Sequence, residues 1–195
     1  MAVAVNSGIP IDRYLALEAT DQLRYEYHAG AVYAMSGGTI QHAKLCSNVL
    51  GMLREALRTK GKNCFAFTSE VKIEIERANR YVYPDAAVVC GEIKESNAVA
   101  GAIRNPRVVV EVLSDSSGAY DRGAKMRYYL SLPTVKEYVL IEQDRPHVTV
   151  YRRHGDGKLG SFHYADGLDD SIALTSIGAV LPLAELYRNV TPEES

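Results

Sequence analysis

The spacing of apolar residues changes several times along this chain, and each change marks an expected element. After a short extended lead, "DRYLALEA" has helical spacing, and "RYEYHAGAVYAMSG" reads as two strands joined by a turn at His28 to Gly30. A long helix is predicted from Thr39 to Leu57. There Leu45, Val49, Met52 and Ala56 recur every three or four residues beside Cys46, Leu50, Leu53 and Leu57, and His42 lies one turn earlier on the inward side.

Extended segments follow: "NCFAFTS", then "EVKIEIE" with Val71, Ile73 and Ile75 alternating, then "YVYPDAAVVC". A polar, turn-prone stretch runs from Gly91 to Asn105. The run "PRVVVEVLS" suits a strand covered on both faces, and "AYDRGAKMRYYLSL" suits a helix closed by Pro133. "KEYVLIE" and "HVTVYRR" form a strand pair turning at Asp144 to Pro146. The remainder reads as edge strands and turns, with a short helix at "LAELY" and a frayed tail.

Composition narrows the class without naming a function. With 195 residues the chain predicts a single domain over 1–195, its core about 11–188. Lys and Arg number 22 against 24 Asp and Glu, so no global cationic field draws in a polyanion, and a nucleic-acid contact needs a local patch. Cys46, Cys64 and Cys90 lie in apolar runs and read as reduced, buried thiols, which places the protein in the cytoplasm. The first residues lack the pattern of a signal peptide, and no window approaches a membrane span, so no membrane partner is expected.

The chemistry lies in acids set among apolar strand residues. Asp85 follows Pro84 at the head of "AAVVC", and Glu111 interrupts "VVVEV". Two isolated carboxylates in core strands are costly to desolvate unless they converge. Convergence on Mg²⁺ removes that cost, because this ion takes oxygen ligands from one or two carboxylates, a carbonyl and water. Capping of a helix, or pairing with Arg107 or Arg127, is the structural alternative for each acid. Lys125 stands one turn after Asp121: the two make either an i,i+4 surface pair or a positive charge reaching back over the Glu111 strand.

The stretches "YPDAAVV" and "VVVEVLSDSSGAYDRGAKMRYYLSLPTVKEYVLIE", with the hairpin and helix "YEYHAGAVYAMSGGTIQHAKLCSNV", resemble the Uma-type family of restriction-endonuclease-like proteins in the PD-(D/E)XK nuclease superfamily. That resemblance covers nearly the whole chain. It implies an α/β (α+β) fold: a restriction-endonuclease-like mixed central sheet flanked by helices, with an extra N-terminal hairpin and C-terminal edge strands. It also implies that Asp85 and Glu111 hold a metal and that Lys125 completes the catalytic set. The superfamily pattern has lysine two residues after the acid, where this chain has Leu113. In the Uma-type family the following helix supplies it, here as Lys125.

Auxiliary candidates are Glu26, His42, Glu70, Ser114 and Asp121. Each has a structural alternative: an arginine partner for Glu26, a satisfied core histidine, a solvated face for Glu70 shared with Lys72 and Glu74, and caps for Ser114 and Asp121. Tyr128 and Tyr129 read as packing residues. The expected activity is Mg²⁺-dependent hydrolysis of DNA, with Mn²⁺ as an alternative ion and a homodimer as a further partner. Arg152, Arg153 and His154, with Arg77, Arg80 and Arg104, could supply a local footprint or simply a solvated edge. Rival readings are a nuclease-fold module that binds without cleaving, and a hydrolase of another phosphoester.

Overall fold

In the computed structural model, residues 8–191 are described apart from 22, 36, 62, 115–117 and 154–158. The chain begins with α1 (Ile11–Asp21) and the hairpin β1 (Tyr25–His28) and β2 (Ala31–Ala34). Ala29 and Gly30 turn that hairpin with φ of 49° and 100°, the positive values that a tight two-residue turn requires. Next come α2 (Ile40–Thr59), β3 (Cys64–Thr68), β4 (Lys72–Ile75), β5 (Arg80–Val82), β6 (Ala86–Cys90), β7 (Ala102–Ile103) and β8 (Val108–Val112). A helical segment combines α3 (Gly118–Tyr120), a π turn (Asp121–Lys125) and α4 (Met126–Ser131). It leads to β9 (Glu137–Ile141), β10 (His147–Arg153), β11 (Leu159–Asp166), β12 (Ser171–Leu174), β13 (Ala179–Pro182) and α5 (Leu183–Leu186).

The strands form a six-stranded sheet ordered β11-β10-β9-β8-β6-β3, a five-stranded sheet ordered β2-β1-β5-β4-β7, and the pair β12-β13. Both larger sheets are mixed: β8 and β9 run parallel, as do β4 and β7, and their other pairings are antiparallel. Strand alternation assigns each face its cover. Val108, Val110 and Val112 turn toward Leu45, Val49, Leu53 and Leu57 of α2. Val109 and Leu113 turn the other way, onto Ile73, Ile75 and Val82 of the second sheet and Tyr129 of α4. The long helix and the Lys125 helix therefore cover opposite faces of the six-stranded sheet. The continuous apolar run is explained by cover on both sides.

Thr39 caps α2, its hydroxyl accepting from the amide of His42 at 3.1 Å. The far face of the five-stranded sheet carries α1, through Tyr14, Tyr25, Tyr27 and Tyr81. Glu18 holds this layer: its Oε1 accepts from the hydroxyls of Tyr14 at 3.1 Å and Tyr83 at 3.0 Å, and Oε2 pairs with Lys72 at 2.5 Å.

Three expectations change. "YVYPDAAVVC" is not one strand but two, β5 and β6, in different sheets, because Pro84 cannot continue a ladder. Lys72 and Glu74 do not form a solvated face; both are buried, Lys72 on Glu18 and Glu74 on the Tyr81 hydroxyl at 2.8 Å. Cys64 and Cys90 are not reduced thiols: they face one another across β3 and β6 and form a disulfide, leaving Cys46 free. The disulfide removes the argument that placed the chain in a reducing compartment. Among the described residues no helix is long and apolar enough to cross a membrane. The tail after residue 191 and His154 lie outside the described residues.

Candidate active site

Asp85 stands where the chain leaves one sheet for the other, between β5 and β6. Its Oδ2 accepts from the amide of Val112 at 2.7 Å, so the strand that carries Glu111 also anchors Asp85. Alternation along β8 puts Glu111 on the face opposite α2, where it is 3% exposed. Alternation along β1 does the same for Glu26: Tyr25 and Tyr27 face α1, which turns Glu26 and His28 inward.

Lys125 joins these strands. Its Nζ lies 2.9 Å from Oε1 of Glu111 and 3.6 Å from both Oε1 of Glu26 and Oδ1 of Asp121. Asp121 and Lys125 are buried, so their i,i+4 relation is not the surface pair that the spacing allowed. The π turn brings both inward, and such turns often occur at functional sites. The Tyr138 hydroxyl donates to the Asp121 carbonyl at 3.1 Å and ties the widened turn to β9.

Glu26 is held by the Tyr83 amide at 3.2 Å and by His28 Nε2 at 3.0 Å. Burial works to raise its carboxyl, but Lys125, His28 and the amide outweigh that and keep it below the usual carboxylate range. Burial likewise pushes Glu111 well above that range, with Asp121 and Asp85 adding to the effect and Lys125 opposing it. Lys125 shows the reverse balance. Burial would lower it, yet Glu111 and Glu26 hold it well above an ordinary lysine, and it remains a fixed cation.

The His42 Nε2 lies 3.3 Å from Oδ2 of Asp85. That hydrogen bond raises the imidazole, against burial. Cys46, which the apolar stripe of α2 concealed, sits one turn farther on, its Sγ 3.5 Å from His42 Nδ1. Its position four residues after His42 was the available signal. Glu70 does not join the cluster: it is exposed and pairs with Arg24 at 3.2 Å; the Ser114 carbonyl accepts from the Gly118 amide at 2.8 Å.

The donor set suits a hard divalent ion. Glu26, Glu111 and Asp121 surround Lys125, whose Nζ meets Oε1 of Glu111 at 2.9 Å; Glu26 also meets His28, and Asp85 stands beside His42. Clustered carboxylate oxygens of this kind are what a hard divalent cation neutralises.

The arginines expected to contact a polyanion are largely engaged inside the molecule. Arg152 pairs with Glu137 at 3.2 Å, and Arg104 pairs with Glu74 at 3.2 Å and with Glu76 at 2.5 Å. Arg153 donates to the carbonyls of Val135 and Leu130, and Arg80 stacks on Tyr128 with 3.9 Å to the ring centroid. Arg77 is exposed.

Residues 11–184 match the Uma2 family, whose description is "Putative restriction endonuclease". Two uncharacterized proteins of Synechocystis sp. are similar to this chain. The protein slr1290 is 31% identical over 179 residues, covering 92% of this chain and 91% of its own. The protein sll1609 is 29% identical over 156 residues, with 80% and 87% covered. Among solved structures, a crystal structure from Anabaena variabilis, titled "a putative nuclease belonging to DUF820", superposes with a TM-score of 0.72 at 19% identity. It covers 92% of this chain and 97% of that one, a likeness of fold.

Proposed function

Because the chain belongs to the Uma2 family, we propose that it is a metal-dependent endonuclease hydrolysing phosphodiester bonds in DNA, with Asp85, Glu111 and Lys125 as its catalytic residues. The observation that carries this reading is the convergence of three separate elements. Asp85 is fixed to the Val112 amide at 2.7 Å, and Lys125 reaches from the π turn to within 2.9 Å of Glu111.

Mg²⁺ held by Asp85 and Glu111, or Mn²⁺ in its place, would polarise the scissile phosphate and lower the pKa of a bound water. The side chains supply the rest. The Lys125 ammonium, kept charged by Glu26 and Glu111, stands ready for the negative charge that builds on phosphorus or on the attacking oxygen. Asp121 and Glu26 fix its direction, and the buried rings of Tyr129 and Tyr138 lie near Glu111 and Lys125. With most arginines held in internal pairs, grip on the phosphate backbone should be modest, so affinity for DNA would depend strongly on the metal and on any second copy of the chain.

The test combines Mg²⁺ and Mn²⁺ titration calorimetry with plasmid nicking on the wild type and on Asp85→Asn, Glu111→Gln. Ion binding and nicking that disappear together support the proposal. A wild type that binds neither ion and leaves DNA intact would favour the reading in which the nuclease fold serves only for binding.

A further inference from the structure

We propose that His42, Cys46 and Asp85 form a second metal site, for a borderline-soft divalent ion of the zinc class, which shares Asp85 with the hard-ion site. His42 and Cys46 are four residues apart on α2 and so project from one face of the helix. The histidine ring is held in place from behind: a Cβ on Gly38 would lie 2.6 Å from its Nδ1, so the backbone passes close over the ring. Nε2, not Nδ1, is the nitrogen nearest Asp85, at 3.3 Å.

One ligand atom from each of the three residues fits within a span of 4.8 Å. Tetrahedral zinc, with bonds of about 2.0–2.1 Å to nitrogen and oxygen and about 2.3 Å to sulfur, sets its ligands roughly 3.3–3.6 Å apart. The Nε2 to Oδ2 separation of 3.3 Å already matches one such edge, and the Sγ to Nε2 separation of 3.9 Å exceeds another by a few tenths. A small rotation of the Cys46 side chain closes the difference. His42 and Asp85 keep 20% and 17% of their side chains exposed, which leaves the fourth corner to water.

The donor types make the site selective. A thiolate and an imidazole suit zinc, cobalt and similar ions, and magnesium refuses the sulfur. On binding, the S–H bond of Cys46 and the Nε2–H bond of His42 break, both protons leave to solvent, and sulfur and Nε2 each donate an electron pair to the ion. Where the nuclease reading holds, the two ions compete for Asp85, and zinc would suppress magnesium-dependent cleavage.

Co²⁺ is the probe, because a bound cobalt ion shows a thiolate charge-transfer absorption. The chain has three cysteines and two of them form the Cys64–Cys90 disulfide, so the oxidised protein can give that band only through Cys46. We expect one equivalent of Co²⁺ to develop the band, one equivalent of Zn²⁺ to erase it, and Mg²⁺ to weaken Co²⁺ binding. Cys46→Ser and Cys46→Ala should lack the band with their circular dichroism unchanged, and His42→Gln should bind Co²⁺ roughly tenfold or more weakly. Glu111→Gln should keep the band, which separates this site from the nuclease proposal whatever becomes of nicking. Absence of a band at saturating Co²⁺, or a band that survives Cys46→Ser, overturns the site. Indifference of the band to Mg²⁺ overturns the sharing of Asp85.

Discussion

Lys125 shows how much a single position depends on burial. In sequence, Asp121 and Lys125 are an ordinary i,i+4 pair worth about 0.2–0.5 kcal/mol on a solvated helix. In the structure, Lys125 is the cation that three acids share below the surface. Truncating one partner of a buried pair leaves the other charge uncompensated, at a cost of about 3–5 kcal/mol. Lys125→Met should therefore lose roughly that much in urea unfolding without divalent ions, and adding Glu111→Gln should recover part of it. A loss no larger than a surface pair would show that the cluster is solvated. Gly38 offers a gentler probe. A methyl there would press on the His42 ring, so Gly38→Ala should push Nε2 away from Asp85. Nuclear magnetic resonance of the imidazole would show the hydrogen bond lost, and an unchanged spectrum would mean the loop had yielded. Asp85 and Glu111 were legible as residues because a charge in an apolar run demands a partner. Cys46 was not, since a thiol fits an apolar stripe without violating its pattern.

At the scale of elements, the periodicity located the helices and most strands, because their apolar faces are long enough to repeat. It did not separate β5 from β6, since both strands are largely buried and their apolar residues read as one extended run across Pro84 and Asp85. The separation matters: Asp85 can turn onto the β8 amide because the chain changes sheets there. Nor does spacing reveal the π turn, as 3.6 and wider periods are indistinguishable over five residues. A π turn carries one residue more than the α-helix around it needs. Deleting Gly123 should restore regular winding, bring Asp121 and Lys125 from four residues apart to three, and so shift Lys125 off the position from which it meets Glu111. The expected result is a folded protein, by circular dichroism, that still binds Mg²⁺ but has lost nicking. Retention of nicking would show that the widened turn does not set the site.

At the scale of the whole molecule, the sequence conveyed a mixed α+β architecture but not the long-range pairings, and the disulfide is the clearest case. Cys64 and Cys90 read as reduced because nothing local sets them opposite each other; their contact follows only from the β3–β6 register. That link closes a sequence separation of 26 residues and fastens β3, an edge strand that otherwise holds on through one neighbour. For a loop of this length the chain-entropy account gives about 3.5 kcal/mol. Reduction should accordingly lower the unfolding free energy by that amount, read as a lower urea midpoint, and free β3 first, since one ladder alone is then left to hold the edge. The site should feel little of this: Asp85 lies at the opposite end of β6 from Cys90, about 16 Å along the strand. Thiol counting on native, oxidised protein should find one reactive cysteine once unfolded, and three would show that the link does not form. Equal nicking by oxidised and reduced samples below the unfolding transition would confirm that the disulfide braces the sheet edge without tuning the site, whereas a parallel loss of nicking would mean that β3 and the site unfold together.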